Sequence, residues 1–329
     1  QANGEPLAAV VRIPIPVGIH RIRIRCRTIS TPAVVDREQI NAYFRTYTHY
    51  SITDSHNDLI YEDFCSHYSR LSIPRPAAIV LDSQDRFRGR WDPSFDGWME
   101  IGERRSSDGF TEGRILPGSW TLFLYTTCRS TQSARIQLTV ETSDSYDESA
   151  SEIPLYPIED RPIHEVNIVW CAGELHEHTN RSSGSLSPDN TITAYQNLGY
   201  HFLALTDHDT PPLHALHNPP AITLIRGQEI QWHFGHALLL GLQEWLATTP
   251  GENPDHLGEI IHDVHTRGAL FCIVHPFALR VDAPLPSWSI ERMDWGLVDL
   301  LEIWPGSWSK RFPEVLKSFD LWDRLLNQG

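Results

Sequence analysis

Histidines and carboxylates recur at defined places in the second half of the chain: Glu174, His176 and His178, then Asp207, His208 and Asp209, then Glu229, His275 and Glu302. Imidazole nitrogens and carboxylate oxygens are the donors that divalent transition ions take, and ions held this way activate water for hydrolysis. His176 and His178 are two residues apart. In an extended segment both imidazoles fall on one side, about 6–7 Å apart by rise alone, close enough to share an ion or a binuclear pair. Glu229 can bridge two ions through its two oxygens. A single histidine is more often a surface or satisfied core residue than a ligand, and His49, His56, His67 and His217, in polar or loop surroundings, are read that way. The joint arrangement carries the expectation, because surface composition rarely repeats such groups at successive strand ends.

The elements that must position these groups are short apolar runs at 168–171, 202–205, 222–225, 237–240, 270–274 and 299–303. Ser187-Pro188-Asp189 reads as an N-cap, a first-turn proline and an early acidic residue; Ile192, Tyr195 and Leu198 share a face, and Gly199 stops the helix. Pro254 opens a second helix with Leu257, Ile260, Ile261 and Val264 on one face, and Gly268 closes it. Strand and helix alternate without hairpin signals. That predicts a mostly parallel, helix-covered sheet or barrel, whose strand ends converge on one site.

The first half has another pattern. Strict alternation at 20–26 and 135–140 predicts strands with one buried face, and apolar runs at 77–81 and 120–125 lie between them. Asp92-Pro93 and 116–119 mark turns, and the whole favours a β-sandwich or jelly-roll. Residues 37–50 read as a helix or an irregular excursion. The polar, acidic, proline-bearing stretch 141–161 suits a linker. The expected organisation is a β-rich domain at 1–151, a linker at 152–165 and an α/β domain with the metal-type residues at 166–329.

Across 329 residues the formal charge is -15, which argues against binding a nucleic-acid backbone but leaves anionic small molecules open, since bound ions add local positive charge. No run of about 18 apolar residues predicts a membrane helix. The first six residues resemble neither a signal peptide nor an anchor, and a processed leader leaves no trace, so a cytoplasmic and a secreted location both stay open. The five cysteines show no CxxC pairing. A Ser-His-Asp esterase is disfavoured by the lack of a G-x-S-x-G elbow. Oligomeric state is not legible.

The segments Cys171-Ala172-Gly173-Glu174-Leu175-His176-Glu177-His178-Thr179, Leu205-Thr206-Asp207-His208-Asp209, Gly227-Gln228-Glu229 and Val274-His275-Pro276 resemble, in order, the motifs of the polymerase-and-histidinol-phosphatase (PHP) metallohydrolase superfamily. Residues 235–241, 87–98 and 116–120 resemble its carbaryl-hydrolase-like branch, which has an amino-terminal β domain. The resemblance implies a distorted, incomplete (β/α)7 barrel binding two or three divalent ions. His176 and His178 would hold the first, Glu229 would bridge, His275 would complete the second and His208 would serve a third. Glu229, His208 and His275 would be the catalytic set. His236 is implied as a ligand or pocket residue, and Asp207 as a group orienting a histidine. Arg280 is a candidate substrate-side cation, weighed against a solvent-facing loop arginine.

Two departures stand out. Ser183 occupies the position where the family's first motif often carries an aspartate, and the family's closing Asp-x-His element is expected after the last major helix, near the point where 325–329 ends the chain. Truncation before that strand is the first expectation. The implied activity is hydrolysis of a small-molecule phosphoester or carboxyl or carbamate ester by metal-activated water. Zn, Mn and Fe all suit the donors. The alternative is a non-catalytic or regulatory binding module with a degenerate metal site.

Overall fold

The structure is a computed structural model that describes residues 8–29, 76–91, 97–126, 135–145, 156–158, 170–232, 235–247, 256–278, 288, 290, 293–306 and 308–328. It is mixed but mostly strand, with few helices. The first half contributes β1 (Ala8–Ile15), β2 (Arg21–Ile29), β3 (Pro76–Leu81), β4 (Phe87–Trp91), β5 (Met99–Gly102), β6 (Gly118–Thr126) and β7 (Arg135–Ser143). They form two antiparallel sheets, ordered β1-β6-β3-β4 and β5-β2-β7.

The alternation at 20–26 works as a strand should. Ile22, Ile24 and Cys26 are buried, and they share one apolar cluster with Ile13, Val80, Trp120 and Leu122 of the other sheet. On the opposite face of β2 the Arg23 guanidinium lies 4.7 Å from the centre of the Trp98 ring. Residues 37–50 and Asp92-Pro93 lie outside the described residues.

The turn between β3 and β4 is built on Asp82. Its fully buried carboxylate accepts from the Gln84 N–H at 2.9 Å, the Arg86 N–H at 3.2 Å and the Arg86 Nε–H at 2.9 Å. Arg88 stands 3.8 Å away. This turn fixes where β4 begins, and β4 carries Arg90 towards the second half of the chain.

The second half is a six-stranded sheet that curls into a half-barrel: β9 (Gly173–Glu177), β10 (Phe202–Leu205), β12 (Thr223–Trp232), β13 (Gly235–Leu240), β14 (Leu270–Val274) and β15 (Leu300–Leu301). A small pair, β8 (Tyr156–Pro157) with β11 (Ala215–Leu216), lies beside it. The buried Ile158 donates its N–H to the His214 carbonyl, so this part of the expected linker is tied into the second half. The helices are α1 (Pro188–Asn197), α2 (Leu257–Thr266) and α3 (Trp308–Gln328).

The mostly parallel sheet expected from the sequence needs correction. β9, β10 and β12 run parallel, as do β14 and β15, but β13 is antiparallel to both β12 and β14. A parallel return needs a crossover of a dozen or more residues, and only two residues separate β12 from β13. Gly235 makes the return possible: its φ is +148°, and a Cβ there would stand 2.2 Å from the Trp288 ring. The first strand was also expected too early. Trp170 and Cys171 are exposed, and β9 begins at Gly173. Its sequence, Gly-Glu-Leu-His-Glu, hides the strand because polar residues fill its inward side. At the other end the expected strand at 299–303 shrinks to two residues, which leaves Glu302 just beyond it.

The first helix starts at its signal; Pro254, expected to open the second, lies outside the described residues, and α2 begins at Leu257. The Ser187 side chain accepts from Asn190 N and caps α1, whereas Leu198, expected on its apolar face, is an exposed C-cap residue. In α2, Ile261 and Val264 are buried against the sheet core.

Burial alone raises the Asp82 carboxyl, but the Arg86 side chain and the two backbone N–H groups outweigh it and hold it below the usual range. A depressed folded value stabilises above the unfolded value and is lost as pH falls through the folded one. Asp82→Asn is therefore expected to cost about 1.5–3 kcal/mol at pH 7, from lost charge-assisted hydrogen bonds. Urea denaturation at several pH values should show the gap from wild type closing below about pH 4.

Candidate metal centre

Glu229 sits in the middle of β12, with 0% of its surface exposed. The sequence places it after a short strand, but the strand runs through it to Trp232. Five imidazoles converge on this one carboxylate. Oε2 lies 3.1 Å from His176 Nε2, 3.0 Å from His178 Nε2 and 2.9 Å from His208 Nδ1. Oε1 lies 2.8 Å from His236 Nδ1 and 3.4 Å from His275 Nε2.

The imidazoles come from four places on the sheet, two of them from the end of one strand. His176 projects inward from β9, and His178 follows that strand directly. His208 follows β10 and makes an isolated parallel bridge with Glu229. His236 lies on β13, opposite Gln231. His275 follows β14 with φ at +30°, a conformation rare for a non-glycine residue, and its N–H donates to Glu302 Oε2 at 2.7 Å. Glu302 Oε1 meets His176 Nδ1, also at 2.7 Å. The strain at His275 is thus held by a side chain that also orients His176.

Electrostatics follow from burial and from this crowding. Burial raises the Glu229 carboxyl, but His208 and His176 outweigh that and hold it well below its ordinary value. Burial lowers His176, yet Glu229 and Glu302 prevail and push it up to about 11. For His208 and His275 burial prevails over Glu229, and both stay low. One buried anion does not satisfy every imidazole around it.

The donor set fits divalent ions on geometric grounds. His176 Nε2 and His178 Nε2 face each other at 3.2 Å, and among the described residues the buried Nδ1 atoms of His178 and His275 have no hydrogen-bond partner. Imidazole nitrogens crowded on one carboxylate are positions that an ion would join. Two groups have their ligand atoms within 4.8 Å of one another: His176, Glu229 and His275, and His178, His208 and Glu229. Glu229 belongs to both. The resemblance assigns His176 and His178 to one ion, whereas the geometry divides them between the two groups. His236 belongs to neither group; its Nδ1 meets Glu229 Oε1 and its ring packs edge-on against His208 and His275.

Asp207 acts on the backbone. Its carboxylate accepts from Thr179 N at 2.8 Å, Thr179 Oγ1 at 2.7 Å and Ser182 Oγ at 2.7 Å, and so shapes the turn after His178 instead of orienting an imidazole. Ser183 is exposed on that turn. Arg280 lies outside the described residues. Glu174 accepts from the N–H groups of Leu175 and His176.

Three neighbours of the centre carry no role in the sequence reading. Glu302 stands among the strand-end carboxylates, but only the folded structure brings it to His176. Gln231 has a local signal, since it is two residues beyond Glu229 on the same strand face; its Nε2 lies 3.3 Å from His208 Nε2. Arg90 has none, because it lies some 140 residues away in the other half; its guanidinium meets Gln231 Oε1 at 2.6 Å and Asp209 at 3.6 Å.

No protein-family model matches the chain, and no curated protein matches it in sequence.

The turn after His178 depends on Asp207 accepting three hydrogen bonds in a buried position. Asp207→Asn turns one acceptor atom into a donor facing donors and is expected to cost about 2–4 kcal/mol. Denaturant titration of the metal-free protein measures it, and a loss under about 0.5 kcal/mol would contradict this role.

Proposed function

We propose that the chain is a divalent-metal-dependent hydrolase acting on a small-molecule phosphoester or carboxyl or carbamate ester. The observation that carries the reading is the fully buried Glu229 with five imidazoles on its two oxygens, four of which fall into two ion-sized groups that share it. The motif order noted above supports placing the chain in the PHP superfamily, with the curled sheet as a PHP-type barrel and the two first-half sheets as its β-sandwich.

His176, Glu229 and His275 would hold one ion, and His178, His208 and Glu229 the other. A bound divalent ion lowers the pKa of water towards neutrality and polarises the oxygen of the scissile group. The rest is the work of the chain itself. Glu229 ties the two groups together: Oε2 faces His176, His178 and His208, and Oε1 faces His275 and His236. Glu302 keeps the His176 ring in place through Nδ1 and the His275 backbone through its N–H. His236 meets Glu229 through Nδ1, and its Nε2 has no partner among the described residues. With its proton on Nδ1 that atom is bare, so it can take a proton from the attacking water and return it to the leaving oxygen.

Loaded with Zn or Mn, the wild-type chain should turn over at least one class in a panel of nitrophenyl phosphomonoesters, phosphodiesters, carboxyl esters and carbamates. Glu229→Gln keeps the shape but removes the shared charge, and should lower kcat by about 10²–10³-fold. Equal turnover by this variant, or none by the ion-loaded wild type, would overturn the reading in favour of a binding module.

A further inference from the structure

The two ion-sized groups are not equally prepared, and the difference traces to a residue from the first half. Arg90 on β4 has a fully buried side chain. Its guanidinium carries only donors, so the Gln231 atom 2.6 Å away must be the amide oxygen. The other end of that amide, Nε2, can only donate, and it lies 3.3 Å from His208 Nε2. That ring nitrogen must then accept. A neutral imidazole that accepts at Nε2 carries its proton on Nδ1, here the atom 2.9 Å from Glu229 Oε2. Asp209 holds the assembly together, with a carboxylate 3.6 Å from Arg90 and Oδ1 accepting from Gln231 N at 3.0 Å.

His176 has the opposite partner. Its Nδ1 faces the carboxylate of Glu302 at 2.7 Å, an acceptor that keeps a proton on Nδ1, so the proton an ion would displace is the one on Nε2, towards Glu229. A ligating imidazole needs a bare nitrogen towards the ion and an acceptor behind it. His176 has the acceptor behind it, so giving up its Nε2 proton leaves a neutral ligand, whereas His208 has a donor behind it and holds its one proton on the side where an ion would need a lone pair.

We propose that Arg90 is a positioning residue which, by locking Gln231, holds His208 as its Nδ1–H tautomer and makes the His178–His208–Glu229 group the weaker of the two ion sites. The proposal rests on the metal-dependent reading above and says which ion binds first. The β4 strand thereby sets the occupancy of a site on the far sheet.

Two measurements on the full chain test it. Long-range nitrogen–proton NMR of histidine-labelled, metal-free protein reads the tautomer directly: wild type should show His208 protonated at Nδ1. Gln231→Glu keeps the size and the Arg90 contact but puts an acceptor behind His208, so it should move that proton to Nε2. Calorimetric titration with Zn²⁺ should then show the second ion binding about 10–100-fold more tightly in Gln231→Glu than in wild type, with the first little changed. Arg90→Met, which frees the amide to turn over, should shift both readouts in the same direction. An Nε2–H tautomer in wild type, or an unchanged second affinity in Gln231→Glu, would overturn the proposal. Should wild type bind no Zn²⁺ at all, the metal-dependent reading falls, and the tautomer in the metal-free chain still decides the role of Arg90. If a variant does not fold, the wild-type tautomer decides it alone.

Discussion

A carboxylate with no exposed surface, surrounded by five imidazoles, is costly to bury unless something shares its charge and theirs. Glu229 is that group, and the second half of the chain is arranged about it. Ionised, it draws His176 into the charged form, and Glu302 adds to that pull. His208 and His275 remain neutral because burial prevails there. The result is a site with more nitrogen donors than one anion can satisfy. Buried polar groups left without partners are rare in folded proteins, and a bound ion is one way to satisfy them.

The sheet supplies the geometry. Parallel strands β9, β10 and β12 bring three of the ligand segments to adjacent positions, and the antiparallel return of β13 adds His236 directly opposite Gln231. The return depends on Gly235, whose backbone conformation and contact with Trp288 leave no space for a side chain. The first half enters the same network. The Asp82 turn fixes the start of β4, and β4 delivers Arg90 to Asp209 and Gln231. A chemical site on one sheet is thus conditioned by a strand in the other.

Much of this was legible before folding. The alternation of β2 and β7, the capped start of α1, the apolar face of α2 and the strand at 202–205 all follow local rules that tertiary structure left intact. The candidate ligands were legible too, because imidazoles and carboxylates stand out at strand ends. Two kinds of feature were hidden. β9 reads as polar because its inward residues face the centre and not an apolar core, so periodicity misplaced it. The β12–β13 return carries no standard hairpin dipeptide, and the sheet was therefore expected to be parallel. The contacts of Glu302 and Arg90 depend on pairing between distant segments, which no local pattern encodes. Asp207 was legible as important but not as a turn-builder, since its partners are backbone and hydroxyl donors three or more residues beyond His176.

The most direct measurement is metal content per chain by elemental mass spectrometry, on protein purified without chelator and again after soaking with Zn or Mn, alongside a His176→Ala, His178→Ala double variant. The account predicts one to two ions per wild-type chain after soaking, lost when the two histidines are removed because each belongs to a different donor group. No bound ion in the soaked wild type, or undiminished content in the double variant, would contradict it.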